Sequence, residues 1–273
     1  MQILLVFAFL NLPAANDLTW PIKSLLSRKT SAAGFGHGQM QNYAFTLLYF
    51  GSIKLKRMQQ HSLSITRTAH YYTLGAPGPK IRQFWIVCHG YAQLADEFLK
   101  NFGLLDNEHT FVVAPEGLNH FYRKGFDGPV GANWMTRHQR QSEIEDNANY
   151  LQTIYEHYLP LLPADVRIVL LGFSQGTATI CRWMLQKKPR FHDLLLWAGL
   201  PPEDLDYAAH RDYLADKKLY LLYGTHDPFM TPDRRTTVQD IETKNGIDFG
   251  EQSFEGGHEI LPDTLQDLLS KLN

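Results

Sequence analysis

Short apolar runs alternate with amphipathic segments through residues 58–273 of this 273-residue chain. The runs have the length and composition of strands that are buried on both faces of a sheet. The strand candidates are residues 81–88, 110–114, 168–171, 193–197, 219–223 and 247–254, with a looser alternation over 64–74. Helices are predicted at 97–105, 142–158, 175–185, 207–216, 232–245 and 262–272. Strands that alternate with helices in this way predict an α/β fold, with a doubly wound, mostly parallel sheet and helices on both faces.

The helix predicted at 142–158 carries its own start signal. Ser142, followed by Glu145, fits a capping box, in which each side chain bonds a free backbone amide of the first turn. An apolar stripe follows, formed by Ile144, Ala148, Leu151, Ile154, Tyr155 and Tyr158. Residues 118–141, before the helix, make a long polar and aromatic connection, and such a connection in a compact domain is usually functional.

Residues 1–57 differ from the rest of the chain in charge and in pattern. Six basic side chains and one acidic side chain give them a charge of +5, so the net charge of −2 leaves −7 on residues 58–273. Three interpretations stay open for this extension: an over-extended start with synthesis from Met58, a signal or targeting segment, or a genuine extra element. A cytoplasmic protein is expected, or a secreted or periplasmic one if residues 1–15 are a signal peptide.

Charge and cysteine content narrow the partners that the protein can have. A net charge of −2 with ordinary composition does not indicate nucleic acid or an anionic membrane as a partner. Residues 1–10 are apolar but too short to span a bilayer, so no stable membrane span is expected. Cys88 and Cys181 lie in an apolar strand and on an apolar helix face, and they predict buried core residues without a disulfide framework or a metal site.

The central strand candidate leads into the sequence Gly172-Phe-Ser-Gln-Gly176, which fits the pattern G-x-S-x-G. This pattern is typical of a sharp strand-to-helix turn that lifts the serine hydroxyl clear of the sheet. The glycines remove Cβ atoms that would block the turn, and the helix directs its free N-terminal amides at negative charge beside the serine. Ser174 is therefore predicted to be a nucleophile. The alternative is a serine that only caps the next helix.

Two further strand ends supply partners for this serine. Asp227 follows the strand at 219–223, and His258 follows the last strand in a Gly-Gly turn. The order Ser174, Asp227, His258 is the order expected of an α/β-hydrolase, whose chemistry collects at the carboxyl ends of its strands. Separately, Asp227 could start a turn and His258 could be a solvated loop residue. Together they predict a Ser-His-Asp triad.

An acyl-transfer enzyme also needs two backbone amides directed at the oxyanion. The amide of Gln175 follows the nucleophile directly. The sequence His89-Gly90-Tyr91 follows an earlier strand, which makes the amide of Tyr91 the second predicted donor. An ordinary strand-ending turn is the alternative interpretation of His89-Gly90.

Five short segments together resemble the phospholipase/carboxylesterase family of small α/β-hydrolases, which includes acyl-protein thioesterases. They are His89-Gly-Tyr-Ala-Gln93, Ala114-Pro-Glu-Gly117, Gly172-Phe-Ser-Gln-Gly176, Gly224-Thr-His-Asp227 and Gly257-His-Glu-Ile260. The resemblance covers roughly residues 70–272. It implies an esterase with no large cap domain, no metal and no cofactor, and it implies an aromatic residue near the substrate at Trp134. A tryptophan that packs at the surface is the alternative for Trp134. Ala92-Gln93 stands where thioesterase members commonly have Gly-Asp, which puts protein deacylation in doubt.

We therefore expect a serine hydrolase that acts on small-molecule carboxylic esters through Ser174, Asp227 and His258. A thioesterase or small-peptide hydrolase would use the same triad. Two hypotheses from different classes also stay open: a catalytically silent hydrolase fold that serves as a binding module, and a protein anchored to a membrane by residues 1–20. Homodimer formation stays open too.

Overall fold

The apolar runs predicted as strands lie side by side in one sheet in the computed structural model of the chain, which describes residues 58–272. Within that range the strands are β1 (Tyr71–Leu74), β2 (Gln83–Cys88), β3 (Thr110–Pro115), β4 (Asn119–Tyr122), β5 (Val130–Asn133), β6 (Arg167–Phe173), β7 (Asp193–Trp197), β8 (Lys218–Gly224) and β9 (Gly250–Phe254). The main sheet has the order β1-β3-β2-β6-β7-β8-β9, and β4 and β5 pair separately as an antiparallel hairpin. All neighbours in the main sheet are parallel except β1, which pairs antiparallel with β3 at the edge.

Helices connect the parallel strands, because the chain must cross from the end of one parallel strand back to the start of the next. They are α1 (Ala95–Leu99), α2 (Arg140–Tyr158), α3 (Gln175–Lys187), α4 (Arg211–Leu214), α5 (Pro232–Asn245) and α6 (Pro262–Leu272). Three short 3₁₀ segments adjoin these helices. Lys100–Leu105 follows α1, Leu159–Leu161 follows α2, and Ala208–His210 precedes α4. The predicted doubly wound α/β sheet is confirmed.

Side chains of the central strands alternate between two apolar clusters, one on each face of the sheet. In β6, Ile168 and Leu170 belong to one cluster, which α2, α3 and α5 cover. Val169 and Leu171 belong to the other, which α1 and α6 cover. This double burial explains why these strands read as continuous apolar runs in the sequence. Cys88 and Cys181 are buried free thiols, as predicted.

The predicted capping box at Ser142 is wrong. Helix α2 begins at Arg140, so Ser142 lies inside its first turn, and no side chain caps the helix. Gln139 occupies the cap position with a φ of 52°. The carboxylate of Glu143 instead accepts hydrogen bonds from the backbone amide and hydroxyl of Thr136, at 2.5 and 3.3 Å. The apolar stripe of α2 is nevertheless buried as predicted.

The predicted connection at 118–141 contains the β4–β5 hairpin. Alternate residues of β4 are exposed, so its pattern lacks the apolar run that marked the other strands. At one edge of the main sheet, only Tyr71–Leu74 of the alternating segment 64–74 forms a strand, which pairs with β3.

Residues from Thr66 onward form one compact unit. The predicted boundary at Met58 stays a prediction, and the proposals for residues 1–57 lie outside the described residues. Among residues 58–272, no helix combines the length and the apolar character needed to cross a bilayer.

A partly buried ion pair joins β6 to β7 at the end of the sheet where both strands begin. The guanidinium of Arg167 donates two hydrogen bonds to Asp193, at 2.7 and 2.8 Å, and the Asp193 side chain has no exposed surface. Removing one partner of such a pair leaves an uncompensated buried charge, whereas replacing both removes the charge and its desolvation cost together.

We expect Arg167→Met to lower the free energy of unfolding by about 3 kcal/mol, because it leaves the Asp193 carboxylate buried and unpaired. The double variant Arg167→Met/Asp193→Leu should recover most of that loss. Urea unfolding of the three chains measures both effects. Equal stability of the single variant and the unchanged protein would contradict this role of the pair.

Candidate active site

Ser174 lies in a strained turn between β6 and α3. Its backbone has φ 52° and ψ −115°, and its side chain does not cap the helix, so the capping alternative does not hold. A Cβ on Gly172 would lie 2.5 Å from the carbonyl oxygen of Gly176, and one on Gly176 would lie 2.2 Å from the carbonyl oxygen of Cys88. Both glycines are therefore required by close backbone approach. The turn is the strained elbow that the motif predicts.

Asp227 and His258 contact each other directly. Nδ1 of His258 lies 2.8 Å from Oδ2 of Asp227, and the Asp227 side chain is fully buried. The second carboxylate oxygen accepts the backbone amide of Phe229 at 2.8 Å. The two loops pack so closely that a Cβ on Gly224 would lie 2.3 Å from the carbonyl oxygen of Gly256. The aspartate is therefore fixed by its own loop and faces the imidazole.

Two aromatic rings contact the imidazole of His258. The ring of Phe229 lies edge-on at 4.8 Å between centroids, and the ring of Phe173, the residue before Ser174, lies at 5.0 Å. No hydrogen bond joins the Ser174 hydroxyl to His258 among the residues that the structure describes. Catalytic hydrogen bonds are often long in ligand-free enzymes and shorten when substrate binds.

The predicted second amide donor lies in the His89 loop, residues 89–93, beside the serine. A Cβ on Gly90 would lie 3.2 Å from the Cβ of Ser174. The carbonyl oxygen of Gly90 lies 2.7 Å from Nδ1 of His89 and accepts the Gln93 amide at 3.3 Å. Because the peptide bond is trans, the Tyr91 amide points opposite to this carbonyl, away from His89. The amide predicted as an oxyanion donor therefore lies on the side of this peptide away from the His89 ring.

The buried ring of His89 has a defined protonation state. Nε2 lies 2.9 Å from the Gly117 amide, which can only donate, so Nε2 accepts and Nδ1 carries the proton that it donates to Gly90. Burial lowers the pKa of His89 from 6.5 to about 4, against smaller raising effects of the Gly90 carbonyl and Glu116. The residue is therefore neutral at pH 7 and acts through its hydrogen bonds.

The β4–β5 hairpin packs against the His89 loop. The Ala92 amide donates to the Ala132 carbonyl at 2.9 Å, and the Ala132 amide donates to the Gln93 carbonyl at 3.2 Å. The ring of Tyr91, 57% exposed, stacks on Phe121 of β4 at 5.1 Å. The long connection thus supports the loop that carries the predicted amide donor.

Trp134 has no exposed surface, and its ring lies 4.8 Å from the ring of His89. The expectation that it contacts substrate does not agree with this placement, because a fully covered side chain lines no open cleft. Packing at the surface does not describe it either. Its indole nitrogen donates to the His89 carbonyl at 2.8 Å, beneath the loop.

Metal-binding side chains do not converge in the described part of the chain. Within residues 58–272 no three His, Cys, Asp or Glu side chains lie together at separations that would suit a metal ion. Two other histidines have different contacts: His226 is largely exposed and lies 3.5 Å from Glu255, and His192 accepts the Ile168 amide at the end of the sheet where β6 begins.

Residues 73–273 match the sequence profile of the family described as phospholipase/carboxylesterase. The chain belongs to this family. Its sheet of mostly parallel strands, flanked by helices, is the α/β-hydrolase fold of phospholipase/carboxylesterase proteins. No curated protein sequence matches the chain.

Solved structures of similar fold cover most of the chain. An acyl-protein thioesterase 2 from Zea mays is 14% identical, with 75% of this chain and 98% of that chain covered and a TM-score of 0.59. A carboxylesterase from Mesorhizobium loti is 19% identical, with 74% and 94% covered and a TM-score of 0.56. An esterase named PE8 is also 19% identical, with 76% and 100% covered and a TM-score of 0.56. At these identities the likeness extends to the fold alone.

Several residues that shape the site of this phospholipase/carboxylesterase member were not predicted from the sequence. Phe229 was one of many aromatics, although its position two residues after Asp227 could have drawn attention to it. The sequence marked Gln93 as a departure from the thioesterase pattern, but this did not predict that its side chain accepts the Gly90 amide at 2.7 Å. Glu116, buried and bonded to the Ala95 amide and to His120, stands in the sequence only as one residue of the segment Ala114-Pro-Glu-Gly117.

Acid should weaken the fold of this family member through His89. Its folded pKa of about 4 lies below 6.5, so the unfolded chain binds a proton between these values that the folded chain does not. The free energy of unfolding therefore falls as the pH falls through this window, by about 3 kcal/mol in total from this residue.

The comparison variant is His89→Gln, which has no titrating group at this position. At pH 7 the variant should have a lower free energy of unfolding than the unchanged protein. We expect this difference to be smaller by about 2 kcal/mol at pH 4.5, as measured by urea unfolding at both pH values. Other titrating groups affect both chains alike. A deficit that does not change with pH would contradict the neutral, buried state of His89.

Proposed function

We propose that this protein is a serine hydrolase that cleaves carboxylic esters through an acyl-enzyme intermediate. The observation that carries the proposal is the 2.8 Å contact of Asp227 with His258, whose ring packs on the residue before Ser174. A buried carboxylate that holds an imidazole beside a serine elbow is the arrangement that makes a hydroxyl nucleophilic at neutral pH.

In the first half-reaction, the Ser174 oxygen attacks the ester carbonyl while His258 takes the hydroxyl proton. The carbonyl π electrons move to oxygen, and the amides of Tyr91 and Gln175 stabilise the resulting oxyanion. Asp227 keeps the proton on Nδ1 of His258 and stabilises the imidazolium. When the oxyanion collapses, the bond to the alcohol oxygen breaks, and His258 gives its proton to the departing alcohol.

Water completes the cycle. His258 removes a proton from a water molecule, whose oxygen attacks the acyl carbon and forms a second oxyanion between the same two amides. Its collapse breaks the bond to Ser174, releases the carboxylic acid and returns the proton to the serine. Every step uses groups of this chain together with substrate and water.

Exposed aromatic side chains near the serine favour esters with an apolar part. Tyr91 is next to Gly90, which lies against Ser174, and Phe229 lies against His258. Both residues keep more than half of their surface exposed, at 57% and 56%. Binding is stabilised when an apolar acyl or alcohol group covers such surface, because apolar area is removed from water. We therefore propose small esters with apolar substituents as substrates.

A thioesterase activity is the second candidate, because the triad acts on either leaving group. One protein of similar fold is named acyl-protein thioesterase 2, which favours including thioesters in the same assay. A catalytically silent binding protein is the candidate from another class. Labelling of Ser174 by a fluorophosphonate would separate an activated serine from an inert one.

Replacing Ser174 by alanine should abolish hydrolysis. For p-nitrophenyl acetate, butyrate, octanoate and palmitate we expect a loss on the order of 10⁴–10⁶ in kcat, because no other group of the site replaces the nucleophile. In the unchanged protein, kcat/KM should rise from acetate to the longer chains that reach the exposed aromatic rings. The full chain is assayed by release of p-nitrophenolate.

The matched control is Ser142→Ala, which makes the same change at an exposed position of α2 and should retain full turnover. More than a few per cent of activity in Ser174→Ala would rule out the mechanism. A folded, unchanged protein that neither turns over these esters nor reacts with fluorophosphonate would instead favour the binding-protein candidate.

A further inference from the structure

The two predicted oxyanion donors belong to separate elements of the fold. The distance between them is therefore fixed only if other contacts join these elements. The Tyr91 amide lies in the loop after β2, and the Gln175 amide lies at the start of α3. An oxyanion is stabilised fully only when both donors lie within hydrogen-bond distance of the same point. A shift of either element by a fraction of an ångström would weaken one of the two bonds.

Trp134 makes hydrogen bonds to both of these regions. Its indole nitrogen donates to the carbonyl oxygen of His89 at 2.8 Å, in the loop that carries Tyr91. Its backbone amide donates to the side-chain oxygen of Gln175 at 3.1 Å. The side-chain nitrogen of Gln175 then donates to the carbonyl oxygen of Met135 at 2.8 Å. Trp134 is thus hydrogen-bonded through its side chain to the loop of Tyr91 and through its backbone to the side chain of Gln175.

Packing makes this bridge rigid. The indole has no exposed surface and lies 4.8 Å from the imidazole of His89, so neither ring has room to turn. The next bond in the series, from Nδ1 of His89 to the Gly90 carbonyl, fixes the peptide that ends in the Tyr91 amide. Asn147 of α2 also donates to the Trp134 carbonyl at 2.6 Å, which anchors the bridge to a long helix.

We propose that Trp134 is a positioning residue that sets the spacing between the Tyr91 and Gln175 amides, and that it does not touch the substrate. This inference rests on the proposed serine-hydrolase function. It assigns to the indole N–H a task distinct from core packing, because Phe could fill much of the same space without the hydrogen bond. The bridge connects neutral groups, so it adds no charge that would oppose the oxyanion.

The direct test is Trp134→Phe in the full chain. Loss of the bond to His89 should lower kcat by about tenfold or more, since removing one oxyanion donor completely costs about 10²–10³. KM should stay within about twofold, because the ground-state ester gains little from these amides. The inhibition constant of a trifluoromethyl ketone should rise in proportion, because its adduct with Ser174 carries the oxyanion that the two amides stabilise.

Trp183→Phe is the matched control. Trp183 is also fully buried, lies on α3, and donates its indole N–H at 2.9 Å to the side chain of Gln152, away from the site. The substitution removes the same atoms and a hydrogen bond of similar length. It should lower stability but leave kcat and the inhibition constant within about twofold of the unchanged protein.

Gln175→Met tests the other end of the bridge. It also keeps the inference testable if the Trp134 variant does not fold. Gln175 is partly exposed, and methionine keeps its length and its backbone amide but loses both side-chain bonds. We expect the same pattern: lower kcat, similar KM and weaker binding of the trifluoromethyl ketone.

The outcomes separate the inference from the function on which it rests. Full kcat and full ketone affinity in folded Trp134→Phe and Gln175→Met would overturn the inference while the serine mechanism stands. Equal loss of stability in both tryptophan variants, without a selective loss of kcat at position 134, would show a packing role only and would overturn it too. An unchanged protein without turnover would overturn the proposed function, and the inference with it.

Discussion

The in-register parallel pairing of β2 with β6 is the constraint on which the site depends. Cys88 lies opposite Gly172, so the two strands end at the same level and their following loops lie side by side. The pairing brings Gly176 so close to the Cys88 carbonyl that no side chain fits between them. A slip of one residue would reverse the faces of every side chain in β6 and separate the serine turn from the His89 loop. Two apolar clusters make such a slip costly, because both faces of β6 are buried.

The sequence predicts most of the sheet and the three residues of the proposed triad because their signals are local. Apolar runs mark the strands, and the polar loops after them carry Ser174, Asp227 and His258. The β4–β5 hairpin could not be predicted, since half of β4 faces solvent and the buried strand β5, Val-Gly-Ala-Asn, has no continuous apolar run. The start of α2 was misplaced because residues outside the helix, not a capping side chain, hold its first turn.

Trp134 shows a second limit, which concerns contact and not secondary structure. Its hydrogen-bond acceptor, the His89 carbonyl, is 45 residues earlier in the chain, and its backbone amide bonds a side chain 41 residues later. Neither contact leaves a periodic pattern near position 134. The family resemblance placed an aromatic residue close to the site but could not distinguish a side chain that lines a cleft from one that lies beneath it. The burial of Trp134 distinguishes the two, and it follows from the packing of the hairpin against the His89 loop.

The arrangement divides the site into a rigid part and an exposed part. Buried hydrogen bonds between neutral groups hold the backbone beside Ser174, and these bonds are strong because water is excluded from them. The pKa of His89, lowered to about 4, keeps this network uncharged across the neutral range. Tyr91 and Phe229, by contrast, keep more than half of their surface free. The two parts meet at these residues, because the Tyr91 ring stacks on Phe121 of the hairpin and the Phe229 ring packs on His258.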